Sequence, residues 1–77
     1  MGATVDRNTV LQHLQLASKH VAEGQKRVEA QIALVAKLER DGHDTHQAKR
    51  LLEQFEQTLK LHVQTRDRII QELAEGG

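Results

Sequence analysis

Apolar and small side chains recur at alternating intervals of four and three residues along two stretches of this chain. The first series is Val10, Leu14, Ala17, Val21, Gly24, Val28, Gln31, Val35 and Leu38; the second is Ala48, Leu52, Phe55, Leu59, His62, Arg66, Ile69 and Leu73. A repeat of about 3.5 residues keeps one stripe of a helix turned toward a partner helix, whereas a half-buried strand alternates every second residue. Only Asp41-Gly42-His43-Asp44 lies between the two stretches, and so short a connection forces the helices to be antiparallel neighbours. The pattern predicts an all-α, antiparallel two-helix coiled-coil hairpin.

Punctuation along the chain agrees with this. Proline is absent, and Leu, Ala, Gln, Glu, Lys and Arg dominate, all good helix formers. Thr9 and Gln12 have the spacing of a capping box, with Asp6 as an alternative cap one turn earlier. Gly42 is placed to adopt the left-handed conformation that closes a helix. Asp44 then caps the second helix, with Gln47 as its reciprocal partner. The expected organisation is one domain over 1–77, with a first helix over about 6–40, a turn at 41–44 and a second helix over about 45–74.

Pairing the two stripes outward from the turn sets Leu38 by Ala48, Val35 by Leu52, Gln31 by Phe55 and Val28 by Leu59. It continues with Gly24 by His62, Val21 by Arg66, Ala17 by Ile69 and Leu14 by Leu73. Glu39 then falls opposite Lys49 and His13 opposite Glu72, favourable charge pairs of the exposed kind that contribute at most about 1 kcal/mol. Along the helix surfaces, Glu23 with Arg27 and Glu56 with Lys60 have the spacing of ion pairs one turn apart.

A second apolar set flanks the seam. Leu11, Ile32, Val63 and Ile70 lie on one shoulder of the hairpin, and Leu34 and Leu51 on the other. A hairpin packed only along its seam leaves these in water, although burying an Ile or Val is worth about 1.5–3 kcal/mol. The expectation is a homodimer, most simply two hairpins forming a four-helix bundle, with a partner protein's helix as the other occupant of the shoulder. In a lone hairpin, long Gln, Lys and Arg stems would have to cover the same residues.

Composition sharpens this picture. A domain of 77 residues has a thin core, and with no cysteine there is neither a disulfide nor a thiolate metal site to reinforce it. One Phe, no Trp and no Tyr leave few large anchors, so stability has to come from regular helix packing and self-association. Eleven basic residues balance eleven acidic ones, which removes the general attraction toward nucleic acid or anionic lipid. Lys19, Lys26 and Arg40 share an outer face with Arg50, but Gln57, Gln64 and Gln71 continue that row and no aromatic is present for base stacking. No stretch approaches a membrane span, the first residues lack the apolar core of a secretory signal, and Gly2 lies outside the myristoylation pattern. A cytoplasmic protein without membrane or nucleic-acid partners is expected.

Three segments carry a resemblance: Lys19-His20-Val21-Ala22-Glu23-Gly24, the run Leu34 to Thr45 containing LERDGHDT, and Leu51-Leu52-Glu53-Gln54-Phe55-Glu56-Gln57-Thr58. The chain resembles small helical-hairpin proteins of rhizobial-type alphaproteobacteria, from about Val10 to Leu73, with the LERDGHDT turn as the most specific part. That family has no assigned activity, so the resemblance implies the hairpin and no mechanism. His46 and Gln47 depart from the small and acidic residues expected at those positions.

Candidate chemistry is sparse. Gly24, His62 and Arg66 form a polar interruption of the seam. Gly24 costs roughly 1 kcal/mol against Ala inside a helix, which fits a residue making room for the His62 ring. The polar pair can set register or create a mid-helix pocket for an anion or a proton. Arg66 has no acidic partner in the seam and is expected to reach Glu23 or a carboxylate of another subunit. Five histidines raise the question of a metal, with His43 and His46 beside Asp41 and Asp44 as the candidates. His13 and His20 are two turns apart, and neither H-E-x-x-H nor Glu-x-x-His occurs, so no metal or other cofactor is expected and His43 is read as a turn residue. Ser18 is the single serine, and His20, two positions on, points elsewhere. No enzyme is expected. The reading is a non-enzymatic interaction or scaffold module that self-associates, with a ligand-, metal- or pH-responsive bundle using the histidines as the alternative.

Overall fold

The computed structural model describes residues 6–76, which form two long antiparallel helices in contact with one another. Helix α1 spans Arg7–Arg40 and helix α2 spans His46–Ala74. At about 1.5 Å per residue, 34 and 29 residues give rods of roughly 50 and 43 Å. Asp6, not Thr9, caps α1: its backbone is extended and its carboxylate accepts from the Asn8 N–H at 3.2 Å.

The connection is built by the four residues Gly42 to Thr45. Gly42 takes φ +74°, a conformation in which a Cβ would be strained. Its N–H donates to the Glu39 carbonyl (3.2 Å), and the His43 N–H donates to the Leu38 carbonyl (2.9 Å). This paired arrangement satisfies the last carbonyls of α1. Thr45, not Asp44, takes the cap position of α2: its carbonyl accepts the Lys49 N–H, its side chain makes no capping bond, and Asp44, one residue earlier, accepts the His46 N–H at 3.0 Å. Gln47 forms no return bond to complete a capping box among the described residues.

Every position of the two seams is buried or half-buried, and among the other described residues only Thr9, His20, Thr45 and Val63 escape full exposure. Among the described residues four apolar side chains form the buried core, Val10, Ala17, Val21 and Val35, all on α1, and none is sealed completely from solvent. Helix α2 contributes half-buried residues only.

The register differs from the sequence expectation by one layer. A Cβ built on Gly24 would lie 3.1 Å from Leu59 Cδ1 and 3.7 Å from Leu59 Cα, so Leu59, not His62, packs on the glycine. His62 instead faces His20 (ring centroids 5.1 Å), Arg27 lies over the Phe55 ring (5.6 Å), and the buried Gln31 side chain donates to the Ala48 carbonyl at 2.9 Å. Extended along both seams, this register pairs Val10 with Leu73 at one end and Leu38 with Thr45 at the other. The expected alignment left Val10 and Thr45 without counterparts. Sliding one layer engages both ends of the seam and places the largest aliphatic group against the smallest residue.

Candidate functional site

The hairpin offers a polar groove at mid-length, two apolar shoulders and the turn. The groove, about 360 Å³ and open to solvent, is lined by His20, Glu23, Gly24 and Arg27 of α1 and by Gln54, Phe55, Thr58 and His62 of α2. Two of the three polar-seam residues therefore border it, Gly24 as floor and His62 as wall. Arg66 does not. It sits farther from the turn, half-buried, and its guanidinium donates to the adjacent Asp67 carboxylate at 3.3 Å. Neither Glu23 nor a partner subunit is needed to satisfy it. The observed register explains this, since Glu23 lies closer to the turn than the level of Arg66.

Arg27 also departs from expectation. It does not pair with Glu23 along the helix surface but lies, still exposed, over the Phe55 face, where a cation is attracted by the ring quadrupole. Among the described residues the ion pairs are Lys49–Glu39 at 3.4 Å and Arg66–Asp67; Glu56–Lys60 and His13–Glu72 do not form them. The Lys49–Glu39 bridge forms in spite of the shifted register because both side chains are long and exposed, so it could not have distinguished the two alignments.

On the first shoulder Leu11, Ile32 and Ile70 are 38%, 50% and 46% exposed, and Val63 is half-buried beside an apolar hollow shared with Val28 and Leu59. The register brings Leu11 level with Ile70 near the open end and leaves Ile32 apart, nearer the turn. Leu34 and Leu51, 43% and 40% exposed, border one depression on the second shoulder together with Leu38 and Ala48. Leu16 and Leu61 are more exposed still, at 53% and 63%, and were not singled out by the seam pattern. Both lie one row outside the second shoulder, where a strict seam count does not look; their identity as leucines on an otherwise polar row was the available signal.

At the turn, His43 contributes its backbone to the helix closure. His46 Nε2 lies 3.0 Å from Arg50 Nη2, and a guanidinium can only donate, so this nitrogen acts as the acceptor. Its lone pair is thereby occupied. Among the described residues no three His, Asp or Glu side chains gather around a point that would hold a metal ion, at the turn or elsewhere. No helix among them is long and apolar enough to cross a membrane.

No protein-family model matches the chain, and no curated protein or solved structure matches it. Of what the expected resemblance to rhizobial hairpin proteins implied, the two-helix hairpin fold is present, and no family is identified.

Proposed function

We propose that this protein is a non-enzymatic interaction module whose first partner is a second copy of itself, joined along the shoulder formed by Leu11, Ile32, Val63 and Ile70 into a four-helix bundle. The observation that carries this reading is the mismatch between core and surface. A compact monomer of 8.7 kDa has an accessible surface of about 4,700 Å² by the usual scaling, against 6134 Å² here. Likewise the radius of gyration is 17.6 Å, where a compact chain of this length has roughly 11–12 Å. A dimer interface of ordinary size removes about 800 Å² from each partner, which this surplus accommodates.

Aliphatic content favours this shoulder over the other. The α1 row through it reads Leu11, Ser18, Gln25, Ile32 and Glu39, the α2 row reads Lys49, Glu56, Val63 and Ile70, and Ala22 and Ala36 lie alongside. The opposite rows read His13, His20, Arg27, Leu34 and Leu51, Thr58, Thr65, Glu72, with half as many aliphatic residues, and the buried centres of interfaces are the more apolar part. Docking a helix against an apolar helix face is a recurrent mode of recognition, and a scaffold built this way needs no catalytic group.

Light scattering coupled to size exclusion tests the reading. The wild-type chain is expected to elute as a dimer, and the Ile32→Lys/Ile70→Lys variant as a folded monomer. A monomeric wild type at 100 µM, or a dimer that survives these substitutions and is lost only in Leu34→Lys/Leu51→Lys, overturns it.

A further inference from the structure

The observed register creates something the expected one did not: an imidazole from each helix facing the other across the seam. We propose that His20 and His62 form a two-histidine site that binds a divalent first-row transition ion of the zinc class and cross-links α1 to α2.

Geometry carries the proposal. A metal–nitrogen bond of about 2.0–2.1 Å places an imidazole centroid roughly 3.2 Å from the ion, so two rings on a tetrahedral centre have centroids about 5 Å apart. The His20 and His62 centroids are 5.1 Å apart, with the rings tilted by 46°. The tilt keeps the two rings from lying flat on one another. Both rings are half-buried on the wall of an open groove, which gives an ion access and leaves room for the waters that complete its coordination. Imidazole suits Zn²⁺, Cu²⁺ and Ni²⁺ and not the hard cations, which take oxygen ligands.

The neighbouring charges do not oppose binding. Glu23, one turn beyond His20 and lining the same groove, offers a carboxylate to an aqua ligand. Arg27 is the one cation in the groove, and its guanidinium is held over Phe55, two layers toward the turn. The protein supplies two ligands only, consistent with the absence of any three-residue cluster among the described residues. An ion held this way ties together helices otherwise joined only through their turn and a thin seam, so binding adds to folding stability.

Titration calorimetry and thermal melting of the full chain with Zn²⁺ test it. One ion per hairpin is expected, with a melting midpoint that rises with Zn²⁺ concentration. His20→Ala and His62→Ala should each weaken binding at least tenfold and abolish the thermal shift, while His43→Ala/His46→Ala leaves both unchanged. In the wild-type protein, independent of any variant's folding, Zn²⁺ should shift the ring resonances of His20 and His62 ahead of the other three histidines. No saturable binding, or ring shifts confined to His43 and His46, would overturn the proposal.

Discussion

Gly24 illustrates how a single residue acquires its meaning from what lies across from it. In isolation it is a weak point costing roughly 1 kcal/mol against alanine; in the hairpin it is the recess that receives Leu59. A Cβ there would come within 3.1 Å of a Leu59 methyl, but that methyl ends a half-buried side chain bordering the hollow with Val28 and Val63 and can move aside. Gly24→Ala is therefore expected to stabilise the fold by about 0.5 kcal/mol, the helix preference outweighing a small repacking cost. Gly24→Ile should destabilise it by about 1–3 kcal/mol, since a branched side chain separates the helices. Urea denaturation measures both.

Gln31 is the complementary case, a buried polar residue whose amide donates to Ala48. The Ala48 carbonyl lies within α2 and keeps its helical bond if the amide is lost. Gln31→Leu should consequently raise stability, by about 1 kcal/mol, while removing a directional contact that distinguishes one register from the next. Duplicated amide resonances along α2 would reveal the second register; a single set with lowered stability would contradict this account.

At the level of elements, the turn determines where α2 begins and therefore which layers can meet. Gly42 at φ +74° and the Asp44 carboxylate that accepts the His46 N–H act within three residues of each other, and neither depends on the other helix for its local geometry. Gly42→Ala is expected to cost about 1 kcal/mol through left-handed strain, and Asp44→Ala a similar amount through the unsatisfied N–H of His46. Circular dichroism should show both variants still helical at low temperature with lower melting midpoints. Unchanged midpoints would mean that the seam alone positions α2.

For the whole molecule, the decisive property is that a long, narrow hairpin has few places to hide its apolar groups. Four buried apolar side chains on one helix support a fold that leaves Leu11, Ile32 and Ile70 substantially in water. If a second copy covers them, folding and association are linked and the melting midpoint must depend on concentration. Tenfold dilution of a dimer removes about 1.4 kcal/mol of apparent stability. The midpoint of the wild type is expected to fall on dilution and that of Ile32→Lys/Ile70→Lys to stay constant, which a concentration series of thermal melts would check.

Helices, turn and seam membership are local properties, and they were legible in residue order. Proline-free runs of helix formers, Gly42 beside Asp44, and the alternation of four and three specify two rods and the stripe each turns inward. Register is a different kind of quantity. Sliding α2 by a whole layer keeps every seam side chain facing inward, so the periodicity is blind to the slip, and the Glu39–Lys49 pair forms despite it. Only packing in three dimensions separates the alignments: Leu59 needs the recess at Gly24, the Gln31 amide needs a carbonyl within reach, and Val10 and Thr45 need counterparts. That choice also decided the chemistry, because bringing His62 against His20 is a consequence of register and of no motif in either helix.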